Sequence, residues 1–165
     1  MKRSEKQWMS LMKKLSLNLS SFFVILIFII SNSYSSEKNV AIGKAQIIDG
    51  DTIIIKGEKI RFAGIDTPER NKIGHNFSKI KLKKKLGKNI IVCIREPNLD
   101  PWGRTVAECF IGNESISSYM VKNGFACDYV KYSKKKYAKE QEYAKSKKLG
   151  IWNMNFEPSW EKKCG

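Results

Sequence analysis

The sequence is short of acidic residues, of histidine and of closely spaced cysteines, and each shortage excludes a class of protein. Its 165 residues include 16 Asp and Glu against 31 Lys and Arg, which gives a formal net charge of +15. A single histidine, His75, and four cysteines without CxxC spacing argue against a structural zinc site and against Ser-His-Asp or Cys-His catalysis. The chain also lacks a collagen period, a heptad array and internal repeats, which excludes fibrous and repeat architectures.

The apolar residues that are present suffice for one folded domain. The chain is 42% hydrophobic and 11% aromatic, a composition that a disordered basic tail would not have. Residues 36–165 hold 26 basic and 15 acidic residues, a net charge of +11. A domain with this positive charge attracts polyanions such as nucleic acid, an anionic membrane surface or acidic glycans. A lysine-rich, merely solvated surface is the alternative interpretation.

Residues 1–35 predict an export signal. Lys13 and Lys14 precede a charge-free run whose centre is nine apolar residues, 22–30, followed by small residues. This order is typical of a secretory signal peptide. An uncleaved N-terminal anchor is the alternative, although nine apolar residues fall short of the ~20 that span a bilayer. We expect a secreted or periplasmic protein, membrane-anchored only if the segment is not cleaved, with a folded domain over residues 36–165.

Export changes how the four cysteines are interpreted, because disulfides persist in oxidising compartments. Cys93 and Cys109 lie in neighbouring strand-like segments joined by a turn, which favours this pair. Cys127 and Cys164 then remain. The pairing stays open, since four cysteines allow three connectivities, and buried free thiols are an equal alternative for the second pair.

The hydrophobic pattern predicts a small barrel. Strands are expected at residues 40–48, 52–56, 59–65, 89–95 and 104–111. Helices are expected at residues 76–87, after a Ser115 cap as far as Gly124, and after a Ser133 cap through Lys148. This order is typical of an α+β fold, a five-stranded OB-fold β-barrel with three α-helices.

Acidic residues cluster at the predicted turns and strand ends. Asp49 and Asp51 flank a glycine turn, while Asp66 and Glu69 flank Thr67-Pro68. If the strands that carry Asp51 and Asp66 are adjacent, the two carboxylates converge, and a cation would offset their repulsion. Oxygen ligands favour a hard ion, Ca²⁺ or Mg²⁺. Ordinary turn formation by Asp and Gly is the alternative.

Two arginines stand out in a chain that otherwise uses lysine. Of the 26 basic residues in 36–165, 22 are lysines, yet Arg61 and Arg104 lie beside the acidic motifs. A guanidinium binds phosphate in a bidentate manner and a lysine does not. A surface ion pair, for instance Arg61 with Glu58, is the alternative. His75 has no positioned partner in the sequence, and we expect it to be a solvent-exposed loop residue.

Five ordered motifs resemble the staphylococcal nuclease (thermonuclease) family, in particular its secreted bacterial members. They are Ile48-Asp49-Gly50-Asp51-Thr52, the run from Ile60 to Glu69, Asp100-Pro101-Trp102-Gly103-Arg104, the run from Val121 to Ala126, and Leu149-Gly150-Ile151-Trp152. The resemblance extends from about Ala45 to Trp152. Trp102 takes the place of a tyrosine in the family pattern, so an aromatic residue is kept there.

The resemblance implies an OB-fold enzyme that hydrolyses DNA and RNA with Ca²⁺ and leaves 3′-phosphate ends. It implies a role for each of nine residues. Asp51 and Asp66 would ligate Ca²⁺ by carboxylate and Thr67 by its carbonyl, Asp49 would lie behind them, Glu69 would orient or deprotonate the attacking water, Arg61 and Arg104 would hold the scissile phosphate, and Tyr129 and Tyr132 would include the residue that stacks on a base.

A catalytically silent OB-type module that binds nucleic acid or a protein is the alternative function, because fold alone does not prove activity. The presence of every implied site residue favours the nuclease. The lysines at 79–85 and 134–136 could hold the nucleic-acid backbone or form a solvated face. A monomer without a protein partner is expected.

Overall fold

A curled β-sheet lies at the centre of the fold. The computed structural model describes residues 39–155 and 162–164, and the predicted export signal lies outside them. The strands are β1 (Val40–Gly43), β2 (Ala45–Ile47), β3 (Thr52–Ile55), β4 (Glu58–Phe62), β5 (Ile65–Asp66), β6 (Ile91–Leu99), β7 (Thr105–Ile111), β8 (Glu114–Ser115) and β9 (Cys127–Asp128). The helices are α1 (His75–Leu86), α2 (Ile116–Lys122), the one-turn α3 (Val130–Ser133), α4 (Ala138–Ser146) and a 3₁₀ turn, Gly150–Asn153.

One bent strand closes the sheet on itself. The strand order is β1-β6-β7-β4-β3-β2, so that β1 and β2 lie at opposite ends of the order, yet only Lys44 separates them in sequence. Residues 40–47 therefore pair with β6 through β1 and with β3 through β2. When they are counted as one strand, the barrel has five, and α1, α2 and α4 are its three longer helices. The predicted α+β OB-fold class is confirmed.

The strand alternation explains the core. Successive side chains on a strand point to opposite faces, and the inward residues are fully buried. They include Ile53 and Ile55 of β3, Ile60 and Phe62 of β4, and Ile91 of β6, with Leu82 of α1 and Met120 of α2 packed against them. Burial of each such side chain contributes about 1.5–3 kcal/mol. The core therefore fixes the barrel whose rim carries the acidic motifs.

The predicted third helix begins later than the sequence indicates. The pattern predicts a helix from Ser133, but α4 begins at Ala138 and Ser133 ends the separate turn α3. Lys134 and Lys135 have φ values of 56° and 67°, which a right-handed helix cannot contain. The Ser115 cap of α2 is confirmed, because the Ser118 amide donates to Ser115 Oγ at 3.0 Å.

The disulfide that the sequence favours, Cys93–Cys109, is present, and so is Cys127–Cys164, which the sequence left open. Cys93 and Cys109 lie directly opposite each other on β6 and β7 and are bonded. Cys127 of β9 is bonded to Cys164. Among residues 39–155 and 162–164, no helix is long and apolar enough to cross a membrane.

Candidate active site

A cleft of about 950 Å³ at the rim of the barrel collects the predicted site residues. Sheet pairing explains why they meet there. Asp51 immediately precedes β3, whose first residue, Thr52, pairs with Arg61 of β4. β7, which follows Arg104, runs parallel to β4. The cleft is lined by all nine predicted residues, Asp49, Asp51, Arg61, Asp66, Thr67, Glu69, Arg104, Tyr129 and Tyr132.

Arg61 joins the two buried carboxylates of the cleft. Its Nη1 donates to Asp51 Oδ2 at 2.5 Å, and its Nη2 donates to Asp66 Oδ1 at 2.7 Å. Asp51 and Asp66 are only 4% and 3% exposed. Glu58, the alternative surface partner for Arg61, is bonded instead to Arg95 at 2.6 and 2.8 Å. The interpretation of Arg61 as a surface ion pair with Glu58 is therefore wrong.

The charges in this group do not balance, since two carboxylates face one guanidinium. Burial raises the pKa of Asp66; the nearby Arg61 opposes this shift and the charge of Asp51 adds to it. Burial lowers the pKa of Arg61, but the two carboxylates outweigh it and hold that pKa above its ordinary value. The site therefore favours an additional positive charge beside Asp66.

One oxygen of the group has no hydrogen-bond partner in the part of the chain that the structure describes. Asp66 Oδ2 is buried and accepts no hydrogen bond, whereas Asp51 Oδ1 accepts one from the Thr52 hydroxyl at 2.8 Å. A buried, unsatisfied carboxylate oxygen is costly unless a cation approaches it. Among the described residues, no group of three or more His, Cys, Asp or Glu side chains could hold a metal. The two carboxylates provide oxygen donors, which fit a hard divalent cation.

Arg104 lies across the same cleft and is oriented by Asp100. Asp100 Oδ1 accepts from the backbone amides of Trp102 and Arg104 at 2.9 Å, and Oδ2 accepts from Arg104 Nε at 2.5 Å. Burial acts to raise the pKa of Asp100, but these hydrogen bonds outweigh it and lower that pKa. The two Nη atoms of Arg104 make no hydrogen bond to the described residues. A fixed guanidinium with free donors is suited to phosphate.

The chain matches known proteins that carry nuclease names. The family model for "staphylococcal nuclease homologue" matches residues 59–154, which contain seven of the nine predicted site residues. An uncharacterized endonuclease of Haemophilus influenzae is 34% identical over 144 residues, 82% of this chain and 80% of the relative. A thermonuclease of Staphylococcus intermedius is 33% identical over 65% of this chain and 73% of the relative. A staphylococcal-like nuclease of Arabidopsis thaliana is 32% identical, but the match spans only 35% of that protein.

The chain belongs to the staphylococcal nuclease family. This membership supports a function as a nuclease, a hydrolase that acts on nucleic acid.

Glu69 and the two tyrosines line the nuclease cleft at positions more accessible than those of the buried aspartates. The Glu69 side chain is 69% exposed, in contrast to the buried aspartates. The rings of Tyr129 and Tyr132 meet edge to face, with centroids 4.9 Å apart, and Tyr132 is 51% exposed. Because both rings line the cleft, the structure does not reduce the two tyrosines to one.

Sequence reasoning missed three residues that shape the nuclease cleft. His75 is buried at the start of α1, so its predicted exposure is wrong. Its Nδ1 lies 3.2 Å from both the Pro68 carbonyl and Asp49 Oδ1, which ties the Asp49 turn to the segment after Thr67. Asp100 orients Arg104. Lys163 reaches the cleft from the other end of the chain. Of the three, only Asp100 lies within a motif that the sequence displayed.

Proposed function

We propose that the protein is an exported, calcium-dependent nuclease. It hydrolyses phosphodiester bonds of DNA and RNA by attack of water on phosphorus and leaves 3′-phosphate ends. The observation that carries the proposal is the cleft in which Arg61 holds Asp51 and Asp66 together while one oxygen of Asp66 remains unsatisfied. Membership of the staphylococcal nuclease family supports it.

The cation site would be formed by oxygen donors only. Asp51 and Asp66 would provide carboxylates and Thr67 its backbone carbonyl, with Asp49 behind them. When bound, a divalent cation neutralises phosphate oxygens and lowers the pKa of a bound water. Ca²⁺ suits such a site, because it accepts flexible geometry and mixed carboxylate and carbonyl ligands.

The chain's own residues would divide the chemistry between them. Arg104 would bind the nonbridging phosphate oxygens and stabilise the charge that they gain as water attacks. Glu69 would orient the water or accept its proton, for which its exposed carboxylate is accessible to solvent and substrate. The new bond joins the water oxygen to phosphorus, the bond to the 5′-oxygen breaks, and the 5′-oxygen takes a proton from solvent. The 3′-oxygen keeps the phosphate.

The tyrosines would provide contacts to the bases. A base stacked on an aromatic ring gains about 1–3 kcal/mol, and such contacts tolerate different bases. Tyr132, half exposed in the cleft, can offer its ring without rearrangement of the core. This fits a nuclease that accepts both DNA and RNA.

The proposal is tested by cleavage assays with the purified protein. Single-stranded DNA, duplex DNA and RNA are each incubated with Ca²⁺ or with a calcium chelator, and the product ends are identified. We expect cleavage only with Ca²⁺ and 3′-phosphate ends. Salt-sensitive binding without cleavage under any divalent cation would contradict the proposal and favour the silent binding module instead.

Export is tested separately. When the gene is expressed in a bacterial host, we expect the mature protein to begin at residue 34 or 36, after cleavage at a small residue. The mass of the protein recovered from the medium or periplasm measures this. A full-length mass confined to the membrane fraction would show instead that residues 1–35 act as an anchor.

A further inference from the structure

The C-terminal residues bring a lysine into the cleft. Lys163 Nζ lies 3.7 Å from Asp66 Oδ2 and 3.9 Å from Glu69 Oε1. The first of these oxygens is the buried one that accepts no hydrogen bond. The second belongs to the carboxylate proposed to hold the attacking water. Lys163 therefore places a positive charge beside the unsatisfied oxygen of the proposed cation site.

A disulfide holds this segment against the strand that carries Asp66. Asp66 and Cys127 face each other in the β5–β9 ladder, and Cys127 is bonded to Cys164, the residue after Lys163. Both cysteines are fully buried. Gln141 adds a second attachment, because its Nε2 donates to the Cys164 carbonyl at 2.5 Å. The position of Lys163 thus depends on the same ladder as the position of Asp66.

An ammonium group and a divalent cation are alternatives beside Asp66. Asp51, Asp66 and Arg61 together carry one net negative charge, and Lys163 neutralises it. At 3.7 Å the ammonium pairs with Asp66 Oδ2 without a hydrogen bond, and the lysine side chain is 41% exposed. It can therefore swing into solvent when another cation binds. Two cations a few ångströms apart repel each other, so the ammonium weakens cation binding while it stays.

We propose that Lys163 sets the affinity of the site for its divalent cation: it is a counter-ion that competes with the cation for Asp66, and the Cys127–Cys164 disulfide keeps it in place. This inference rests on the proposed function, since it takes Asp66 as a cation ligand. Its consequence is that the protein with the disulfide formed binds Ca²⁺ more weakly than a form whose C-terminal segment has been released.

Calorimetric titration of Ca²⁺ into the intact protein tests the proposal without reference to activity. Lys163→Gln removes the ammonium. Lys162→Gln removes an equal charge from the neighbouring residue, whose side chain does not line the cleft. We expect Lys163→Gln to lower the Kd for Ca²⁺ by about three- to tenfold, the range for a partly screened charge at this distance. Lys162→Gln and the charge-conserving Lys163→Arg are expected to change it less than about twofold.

The disulfide is tested by a double-mutant cycle. Cys127→Ser with Cys164→Ser is expected to tighten Ca²⁺ binding as Lys163→Gln does. Adding Lys163→Gln to that pair is expected to give no further gain, because both changes remove the same contact. Cys93→Ser with Cys109→Ser removes the other disulfide and is expected to leave the Kd unchanged. Lys163→Gln retains both disulfides, so it decides the question even if a cysteine variant does not fold.

The outcomes separate this inference from the proposed function. Calcium binding by Lys163→Gln that equals or is weaker than binding by Lys162→Gln would overturn the role of Lys163. If wild-type protein in the same experiments still binds Ca²⁺ and cleaves DNA, the proposed function stands. If wild-type protein neither binds Ca²⁺ nor cleaves nucleic acid, both fail.

Discussion

The two arginines of the cleft differ in what they hold. Both terminal nitrogens of Arg61 are bonded to buried carboxylates, so a phosphate contact from this residue competes with Asp51 and Asp66. Within the described part of the chain, the Arg104 side chain donates only from Nε, to Asp100, so both Nη atoms can bind a ligand. At the scale of single residues, Arg61 therefore positions the two aspartates. A substitution of Arg104 tests phosphate binding more directly.

The proposed role of Asp66 as a cation ligand predicts a calcium effect on stability. Ca²⁺ that binds only the folded protein stabilises it, by about 2.7 kcal/mol at 100 times the Kd. We expect Ca²⁺ to raise the Tm of the wild type and to leave the Tm of Asp66→Asn unchanged, as measured by circular dichroism. Glu96→Gln, which removes a different carboxylate from the same cleft, is expected to keep the calcium response. An equal response in Asp66→Asn would contradict its role as a ligand.

The raised pKa of Asp66 adds a pH dependence in the absence of Ca²⁺. Because the folded state holds that pKa above its unfolded value, chiefly through burial, ionised Asp66 lowers stability at neutral pH. The contribution of Asp66 to stability is present below its unfolded pKa and is lost as the pH rises through the folded pKa. The same measurements are made in chelator over a range of pH. The stability of the wild type relative to that of Asp66→Asn is expected to increase as the pH falls.

At the scale of elements, the segment after α2 contacts the 3₁₀ turn through Gly124 and Gly150. Gly124 has a φ of 68°, and a Cβ there would lie 2.2 Å from the Leu149 carbonyl oxygen. The Ile151 amide donates to the Gly124 carbonyl at 2.7 Å. The two motifs at residues 121–126 and 149–152 are therefore halves of one contact.

Gly124→Ala tests this contact against a matched glycine. Gly112 has a similar φ of 57°, but a Cβ there would have no neighbour within 4 Å. A left-handed conformation costs either alanine about 1–2 kcal/mol, whereas only Gly124→Ala adds a backbone clash. We expect it to lose at least about 1 kcal/mol more than Gly112→Ala in urea unfolding. Equal losses would show that the backbone approach is not tight.

Element by element, the sequence predicted what depends on local pattern. The β-branched run of β3, the alternation in β4 and the Ser115 cap led to the correct elements. The segment between α3 and α4 did not follow its pattern, because lysines favour helix while long-range contacts decide otherwise. Tyr137 is buried there, and its hydroxyl donates to Glu108 Oε2 at 2.6 Å. The roles of His75 and Lys163 likewise arise from contacts across the chain, which no local spacing reveals.

For the whole molecule, the charge of +15 is only partly available to a polyanion. On α1, Lys85 is paired with Glu114, and Lys81 lies over the Phe77 and Phe125 rings. Lys83 and Lys84 of the same helix are exposed. Their exposure leaves these two lysines accessible to a nucleic-acid backbone.

The salt dependence of DNA binding distinguishes a binding face from a solvated one. The logarithm of the binding constant falls with the logarithm of salt concentration by roughly one unit per phosphate contact. With a chelator present to prevent cleavage, we expect Lys83→Gln with Lys84→Gln to reduce that slope by about one to two units. Lys147→Gln with Lys148→Gln, an equal loss of charge outside α1, is expected to change it less. An unchanged slope in the α1 variant would mean that this face is merely solvated.

The central claim is that this cleft is a phosphodiesterase site, and the turnover of Arg104→Ala tests it most directly. With Ca²⁺ and single-stranded DNA, we expect its kcat to fall by at least ~10²-fold, since the variant loses a fixed cation at the phosphate. Arg70→Ala, the loss of an exposed arginine that does not line the cleft, is expected to cleave at nearly the wild-type rate. Near-normal turnover by Arg104→Ala would contradict the account.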